Sequence, residues 1–470
     1  MSLISALNAA RSGMSTSSRW ADTVSTNIAN ANNASYARRE TQITTNAQGA
    51  AQISEITRAV DSALDGLYRT EVSRTATQDA IATGLAGYTA LLGDTESTDT
   101  MLTRLTDFQN ALGLLSVSPA DTGLQRATVA DAQELAQALN RAGGALDAAM
   151  GRAEEGIVSD VAAVNDRLGR IAALSERLAS SDGNGEASLS VRDALGAELD
   201  ALAEYMDVTT RTDGYGRMEV FTSGGTALLT GGRPETLRFD AESGTLLAGS
   251  VDITPGVSGK RGISEGSISG KVALYTTVLP EMQAQLDETA RALISGMEAA
   301  DASLLPGEAG LFTDAGAALT DPVAPGLARR IAVNEAVVPE AGGALWRIRD
   351  GVGAVVPGAA GANGQVMDFA DALNGSLSFD EARGLGSDVP LSRFMSSLIA
   401  SQNSTRASAE TSAERLAAGA IATQTSRMSF MGVNVDDELQ QLAMIQQSYG
   451  ANAQALSTVS EMIDTLLAAV

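Results

Sequence analysis

Apolar residues recur in alternating steps of three and four along the last part of the chain. The series is Leu442, Ile445, Tyr449, Asn452, Leu456, Val459, Ile463, Leu466 and Val470, with Asn452 as its one polar member. Such steps place side chains on one face of a helix and form the a and d positions of a coiled coil. Asn434 is a favourable N-cap residue, and the acids that follow it suit the helix dipole. The pattern predicts a helix over 434–470, roughly 54 Å long, whose apolar seam needs a partner.

A weaker series of the same kind opens the chain. Its members are Leu3, Leu7, Ala10, Met14, Ser17, Ala21, Val24 and Ile28. Alanine and serine make this seam thin, and such helices commonly stay disordered until they find a partner. Residues 1–40 hold four arginines and two acids, whereas 431–470 hold five acids and no base. We predict that the two terminal helices pair, and their order is expected to depend on assembly. The plainer alternatives are an intramolecular bundle helix and a homodimeric coiled coil.

Helical periodicity also fills most of the chain between these ends. It predicts helices over 58–92, 98–116, 121–180, 191–206, 266–300 and 391–428. At Asp207 the period changes to that of strands, and short apolar runs between glycine-containing turns predict a small antiparallel insertion. Pro280 is expected to kink or divide its helix, because proline lacks a backbone N–H.

The order of these patterns predicts a mainly α, nested multidomain fold. A long-helix bundle is built from both halves of the chain, and β-rich or irregular insertions fill the middle. The predicted domains are a terminal coiled-coil and linker domain (1–57 with 430–470), a helical bundle (58–206 with 266–300 and 389–429), a β insertion (207–265) and an outer module rich in Gly, Ala and Pro (301–388).

Composition and charge argue against several classes of function. The chain has 470 residues, with 32 basic and 57 acidic side chains and a net charge of −25, which argues against nucleic acid as a partner. It contains no cysteine and no histidine, so disulfides, thiolate chemistry and histidine-based catalysis are excluded. No apolar run is long enough for membrane insertion, and no signal peptide is expected at the N-terminus. We predict no enzyme, no cofactor and no metal site.

Two motifs at opposite ends carry a resemblance to a known family. The first is Ser25 to Asn32 with Tyr36 to Arg39, and its matching positions are Asn27, Ile28, Asn30, Asn32, Tyr36 and Arg38. The second is Gly432 to Leu439 with Gln446 to Ala453, and its matching positions are Gly432, Val433, Asn434, Asp437 and Glu438. Both resemble the signatures of the flagellar rod, hook and hook-associated proteins, the axial proteins of the bacterial flagellum.

Residues between the two terminal motifs resemble one particular family among these axial proteins. Phe108, the Ser118 to Asp121 turn and Arg126 are similar to the helical region of the hook-associated protein 1 family, the first hook-filament junction proteins. The first motif departs at Asn33 to Tyr36, where the family usually has Thr-x-Gly-Tyr. Ser35 therefore replaces a glycine, which puts the usual turn geometry in question.

The resemblance implies a structural subunit that forms a ring of identical copies between hook and filament and is needed for filament assembly. It implies three further partners: the hook protein, the second hook-filament junction protein and an export chaperone at the C-terminal helix. It also implies secretion, without a cleaved signal peptide, to the extracellular flagellum through type III export. The alternatives are another axial flagellar protein, such as hook protein or flagellin, and a secreted coiled-coil adhesin or effector.

Asn452 has two interpretations within this picture. A polar residue in a coiled-coil seam can set the register of the pair. It can also contact an adjacent subunit, and its place in the second motif favours that interpretation.

Overall fold

A computed structural model describes residues 3–47, 49–94, 100–181, 185–256 and 261–468. Its helices are α1 (Leu3–Ala29), α2 (Ser62–Leu92), α3 (Met101–Val117), α4 (Thr122–Ala179), α5 (Glu186–Ala203), α6 (Ser267–Ala273), α7 (Leu279–Ala300), α8 (Leu327–Arg330), α9 (Arg347–Asp350), α10 (Gly364–Asn374), α11 (Leu391–Met431) and α12 (Val435–Ala468). Short 3₁₀ turns occupy Glu335–Val337, Pro339–Ala341 and Glu381–Arg383. The mainly α prediction is confirmed.

The strands are short and all of their pairings are antiparallel. They are β1 (Arg39–Thr45), β2 (Ala51–Arg58), β3 (Val208–Thr212), β4 (Met218–Thr222), β5 (Ala227–Thr230), β6 (Arg233–Pro234), β7 (Leu237–Asp240), β8 (Thr245–Ala248), β9 (Val251–Asp252), β10 (Phe312–Asp314), β11 (Ile331–Val333), β12 (Ser376–Ser378) and β13 (Asp388–Pro390). Strands β3 to β6 form one sheet and β7 to β9 another, while β1–β2, β10–β11 and β12–β13 are two-stranded.

Helix α4 is the longest element and runs through two hydrophobic cores. Its 58 residues correspond to a length of about 87 Å. Asp121 caps its N-terminus, because the side chain accepts from the backbone N–H groups of Gly123 and Leu124. The first half of α4 lies in one core, and the second half, from Ile157, lies in the other.

The first core joins distant parts of the sequence. The first half of α4 packs there with α3, α7, the end of α2 and the start of α11. Phe108 meets Phe312 edge to face at 5.8 Å, and Phe379 stacks on Phe394 at 4.0 Å. Residues of the predicted outer module (301–388) thus lie in the same core as the long helices, because their short apolar runs are buried against those helices. They form no separate core among the described residues, and the boundaries of the four domains stay a prediction.

The second core contains the two small sheets of the segment in which a β insertion was predicted. Helix α5, α6 and the second half of α4 pack there against the two sheets, whose buried residues include Val220 and Leu246. Asn165 on α4 fixes β7 by donating to and accepting from the backbone of Leu237, at 3.0 and 2.8 Å.

The predicted division of the helix at Pro280 does not occur, because Ala273, Val278 and Leu279 all keep right-handed helical backbone angles. A π-helical turn over Leu274–Val278 joins α6 to α7, and Pro280 follows it in the first turn of α7. Proline cannot donate to the preceding turn, so a widened turn accommodates the missing hydrogen bond.

Helices α2 and α11 form a long antiparallel pair that leads to the ends of the chain. Tyr88 donates to Gln402 at one end of the pair (2.5 Å), and Arg427 contacts Asp65 at the other (2.6 Å). None of the described helices combines the length and hydropathy that crossing a membrane requires.

Candidate assembly site

Helices α1 and α12 pair antiparallel within one chain. Three contacts show this direction: Asn27 with Glu438, Ser17 with Ser448, and Gly13 with Asn452. The residue numbers fall along α1 as they rise along α12, as in an antiparallel pair. The predicted pairing of the terminal helices is confirmed. The β1–β2 hairpin lies beside α1, and the Thr16 hydroxyl donates to the Ala51 carbonyl at 3.0 Å. We call α1, the hairpin and α12 the terminal unit.

The two helices approach each other closely at Gly13. A Cβ atom added there would lie 2.6 Å from Oδ1 of Asn452, which is closer than atoms in contact can come. The Asn452 amide donates to the Ser448 carbonyl of its own helix at 2.9 Å. Within the single chain Asn452 therefore lies at the position expected of a register-setting residue, and its contact with an adjacent subunit stays a prediction.

Asn27 joins the end of α1, the hairpin and the start of α12. Its Nδ2 donates to the Arg39 carbonyl at 3.0 Å and to Oε1 of Glu438 at 3.1 Å. Its Oδ1 accepts from the Tyr36 hydroxyl at 2.7 Å and from the Arg39 backbone N–H at 2.9 Å. The amide thus uses both donor hydrogens and accepts two bonds, which is its full capacity. We call Asn27, Tyr36, Arg39 and Glu438 the Asn27 hub.

Glu438 brings a buried carboxylate into this hub. Glu438 is 1% exposed, and its Oε2 atom has no hydrogen-bond partner within the described residues. Burial raises the pKa of Glu438 above its usual range, although the Asn27 hydrogen bond opposes the shift. Burial likewise raises the pKa of Tyr36 to about 12, which keeps its hydroxyl a donor at neutral pH.

The turn from Asn33 to Tyr36 accommodates the missing glycine. Asn33 Oδ1 accepts from the backbone N–H of Ser35 at 3.2 Å and from its hydroxyl at 2.9 Å. The backbone N–H of Tyr36 donates to the Asn33 carbonyl at 3.0 Å. Ser35 is not among the residues with positive φ, so this turn does not need the freedom of glycine.

The other matched motif positions act mainly through the backbone. Arg38 donates its N–H to the Met431 carbonyl and accepts from the Ala59 N–H, both at 2.8 Å. Gly432 ends α11, and a Cβ there would lie 2.4 Å from the Met428 carbonyl oxygen. Asn434 Oδ1 accepts from the Asp436 N–H at 3.1 Å. The remaining positions are half-buried (Ile28, Asn30, Val433) or exposed (Asn32, Asp437).

The predicted seam is buried unevenly. Val24 and Ile445 are buried, and Tyr449 and Leu466 are 44% and 57% exposed. The half-buried members are Leu3, Leu7, Met14, Ile28, Leu442, Asn452, Leu456, Val459 and Ile463. Val470 lies outside the described residues. On α1 the buried face also includes Gly13, Thr16 and Thr23, which the apolar series did not include.

An arginine–aspartate cluster lies where the terminal unit meets the helical body. Asp193 on α5 binds Arg39 at 2.5 Å and Arg58 at 2.8 Å, and these two arginines face each other across the hairpin. Two helical turns further along α5, Asp200 binds Arg69 at 2.7 Å and Arg427 at 2.6 Å. Arg427 also binds Asp65 at 2.6 Å. We call these seven residues the clasp.

Sequence reasoning missed the clasp and the contact of Gly13 with Asn452. The clasp residues are scattered over more than 360 positions, and no motif connects them. The spacing of Asp193 and Asp200 by seven residues on one helix was the available signal, since it places both on one face.

Comparisons with known proteins agree with these observations. A family model described as the helical domain of flagellar hook-associated protein FlgK matches residues 88–309. A second, described as the C-terminal region of flagellar basal body rod FlgEFG proteins, matches residues 424–469. A comparison with curated proteins gives no match. The solved structure of the flagellar hook junction protein FlgK from Burkholderia pseudomallei is similar at 22% identity and a TM-score of 0.44, over 52% of this chain and 46% of that one. The chain thus spans less than half of that structure.

Proposed function

We propose, on the premise that this chain belongs to the flagellar hook-associated FlgK family, that it is a structural subunit at the junction between hook and filament. The observation that carries the proposal is the combination of a FlgK-type helical domain with a terminal unit whose α12 matches the rod-protein C-terminal region. In this role the terminal unit faces its copies in the neighbouring subunits, and the helical body surrounds it.

The partly exposed seam supports an assembly role for the terminal unit. Helix α12 keeps Tyr449 and Leu466 largely exposed although it is paired with α1. Apolar side chains left exposed on a paired helix are available for a second contact. The seam residues from Leu3 to Leu466 therefore serve both pairing within the chain and packing between copies.

The partners and location follow from the same role. A ring of identical subunits contacts the hook protein on one side and a second junction protein on the other. An export chaperone binds the C-terminal helix before assembly, and the protein is exported to the extracellular flagellum without a cleaved signal peptide. Its role is structural rather than enzymatic.

The test uses a deletion strain that lacks this protein. The strain is complemented with variants that carry single substitutions in α12. Ile463→Asp places a charge in the seam, and Ser460→Asp places the same charge on the exposed side of α12. We expect hooks without filaments, and flagellin in the medium, for the deletion and for Ile463→Asp. Ser460→Asp should restore filaments. Normal filaments on the deletion strain would refute the junction role and favour a secreted adhesin or effector.

A further inference from the structure

The terminal unit is joined to the body without a shared hydrophobic core. None of its described residues belongs to either of the two cores. The chain crosses between the two parts at only two places, Ala59 to Asp61 and Gly432 to Asn434, and the Arg38 backbone links these crossings through its bonds to Ala59 and Met431. Directional polar contacts, rather than apolar packing, therefore hold the terminal unit in place.

The clasp supplies two of these polar contacts directly, and its other ion pairs lie within the body, at the helix ends beside the two crossings. Asp193 holds the hairpin through Arg39 and Arg58, and Asp200 holds the roots of α2 and α11 through Arg69 and Arg427. All four ion pairs converge on one face of α5. That helix is itself anchored in the second core through Leu195, Leu199 and Leu202.

Arginine outnumbers aspartate in the clasp. Four arginines share three aspartates, and Asp193 forms an ion pair with both hairpin arginines. Removing one carboxylate charge leaves two neighbouring guanidinium groups facing each other, and a partly buried pair that loses one partner is strongly destabilised. Replacement of a clasp aspartate by an uncharged residue is therefore expected to loosen the arrangement.

Space for movement lies beside the clasp. A cavity of about 480 Å³ is lined by Ser35, Arg58, Asp193, Asp200, Arg427 and Met431. It borders the hairpin, α5, α11 and the β3–β4 turn. Its lining also includes Leu195 and Leu199 of the second core, so the cavity separates the hairpin from part of that core.

We infer that the clasp is an electrostatic joint, which fixes the angle between the terminal unit and the helical body. The inference concerns the single chain and does not depend on the flagellar role. It assigns Asp193 as the residue that holds the hairpin directly, and Asp200 as the residue that holds the ends of α2 and α11 from which the terminal unit leaves the body.

Distance measurement on the monomer tests this inference. The chain has no cysteine, so two introduced cysteines carry spin labels at known positions only. Ser460→Cys on α12 and Ala162→Cys on α4 are both exposed and lie on opposite sides of the joint. Electron spin resonance then gives the distribution of distances between the two parts. A second labelled pair, Ala130→Cys with Ala162→Cys, lies on α4 alone and reports on the body.

Asp193→Asn with Asp200→Asn removes both charges and retains the side-chain size. We expect the joint distribution to become at least twice as wide, while the pair on α4 and the melting of the helical body stay unchanged. Glu410→Gln removes the exposed Arg406–Glu410 pair on α11 and should leave both distributions as in the parent chain. Should the double variant lose its melting transition, the two single variants carry the same test. A joint distribution as narrow as the parent's in every folded variant overturns the inference.

Discussion

Replacement of Asn27 by alanine tests the role assigned to the Asn27 hub. The asparagine is 1% exposed, and its amide makes four hydrogen bonds at 2.7 to 3.1 Å. These bonds hold the exit of α1, the first residue of β1 and the first turn of α12 together. Alanine removes all four bonds and supplies no substitute.

The free-energy cost of this substitution follows from the polar groups that lose Asn27 as a hydrogen-bond partner. Four polar groups lose this partner: the N–H and C=O of Arg39, the Tyr36 hydroxyl and the Glu438 carboxylate. A buried polar group without a partner costs about 1 to 3 kcal/mol, so the lower limit for four groups is roughly 4 kcal/mol. At about 1.4 kcal/mol per factor of ten, that corresponds to roughly a thousandfold rise in the equilibrium constant for opening of the terminal unit.

The loss should be local, because the hub contributes to neither hydrophobic core. Hydrogen exchange followed by mass spectrometry should show faster exchange in segments 24–39 and 435–445 and unchanged exchange in α4. Asn30→Ala is the matched control, since the Asn30 amide donates only to the Thr26 carbonyl of its own helix. Exchange within tenfold of the parent rate in 435–445 would refute the reasoning, since the hub would then not hold α12.

Three further changes test other parts of the structure. Burial raises the pKa of Glu438 above 4.5, so Glu438 binds a proton more tightly in the folded chain than in the unfolded chain. The protection of the Asn27 hub from hydrogen exchange should therefore be full below about pH 4.5. It should fall as pH rises through the raised pKa of Glu438. Glu438→Gln should abolish that pH dependence, and a dependence that persists would point to another group. Gly13→Val should separate α1 from α12 at Asn452 and speed exchange in both helices, whereas Gly169→Ala, in open space on α4, should be neutral or stabilising. Phe108→Ala should destabilise the body by about 3 to 5 kcal/mol in chemical denaturation, and a loss below 1 kcal/mol would contradict its place in the first core.

The sequence predicts local elements well where one signal dominates. The pattern over 121–180 locates α4 almost to the residue, because helical periodicity runs through the whole segment. The change of period at Asp207 lies one residue before β3, which begins at Val208. Both cases depend only on residues that are close in sequence.

The pairing of α1 with α12 was predicted from their seams and charges, but the other contacts between distant residues were not predicted from the sequence. The burial of Phe312 against Phe108, which draws residues 301–388 into the first core, depends on three-dimensional proximity alone. Asp193 is one acid among 57, and nothing local distinguishes it from a solvated side chain. On α1, Gly13 is buried because it meets Asn452, a partner 439 positions away that no periodicity on α1 reveals.

The pairing of α1 with α12 also determines the order in which the molecule can fold. Its hydrogen bonds join residues 411 and 431 positions apart, whereas the contacts of α3 with α4 and of α4 with α5 join neighbouring elements of the chain. Contacts of low sequence separation form early, because they close short loops. During synthesis α1 has no partner until α12 has been made, long after most of both cores has emerged. The body is therefore expected to fold first, and the two ends close onto each other as the last step.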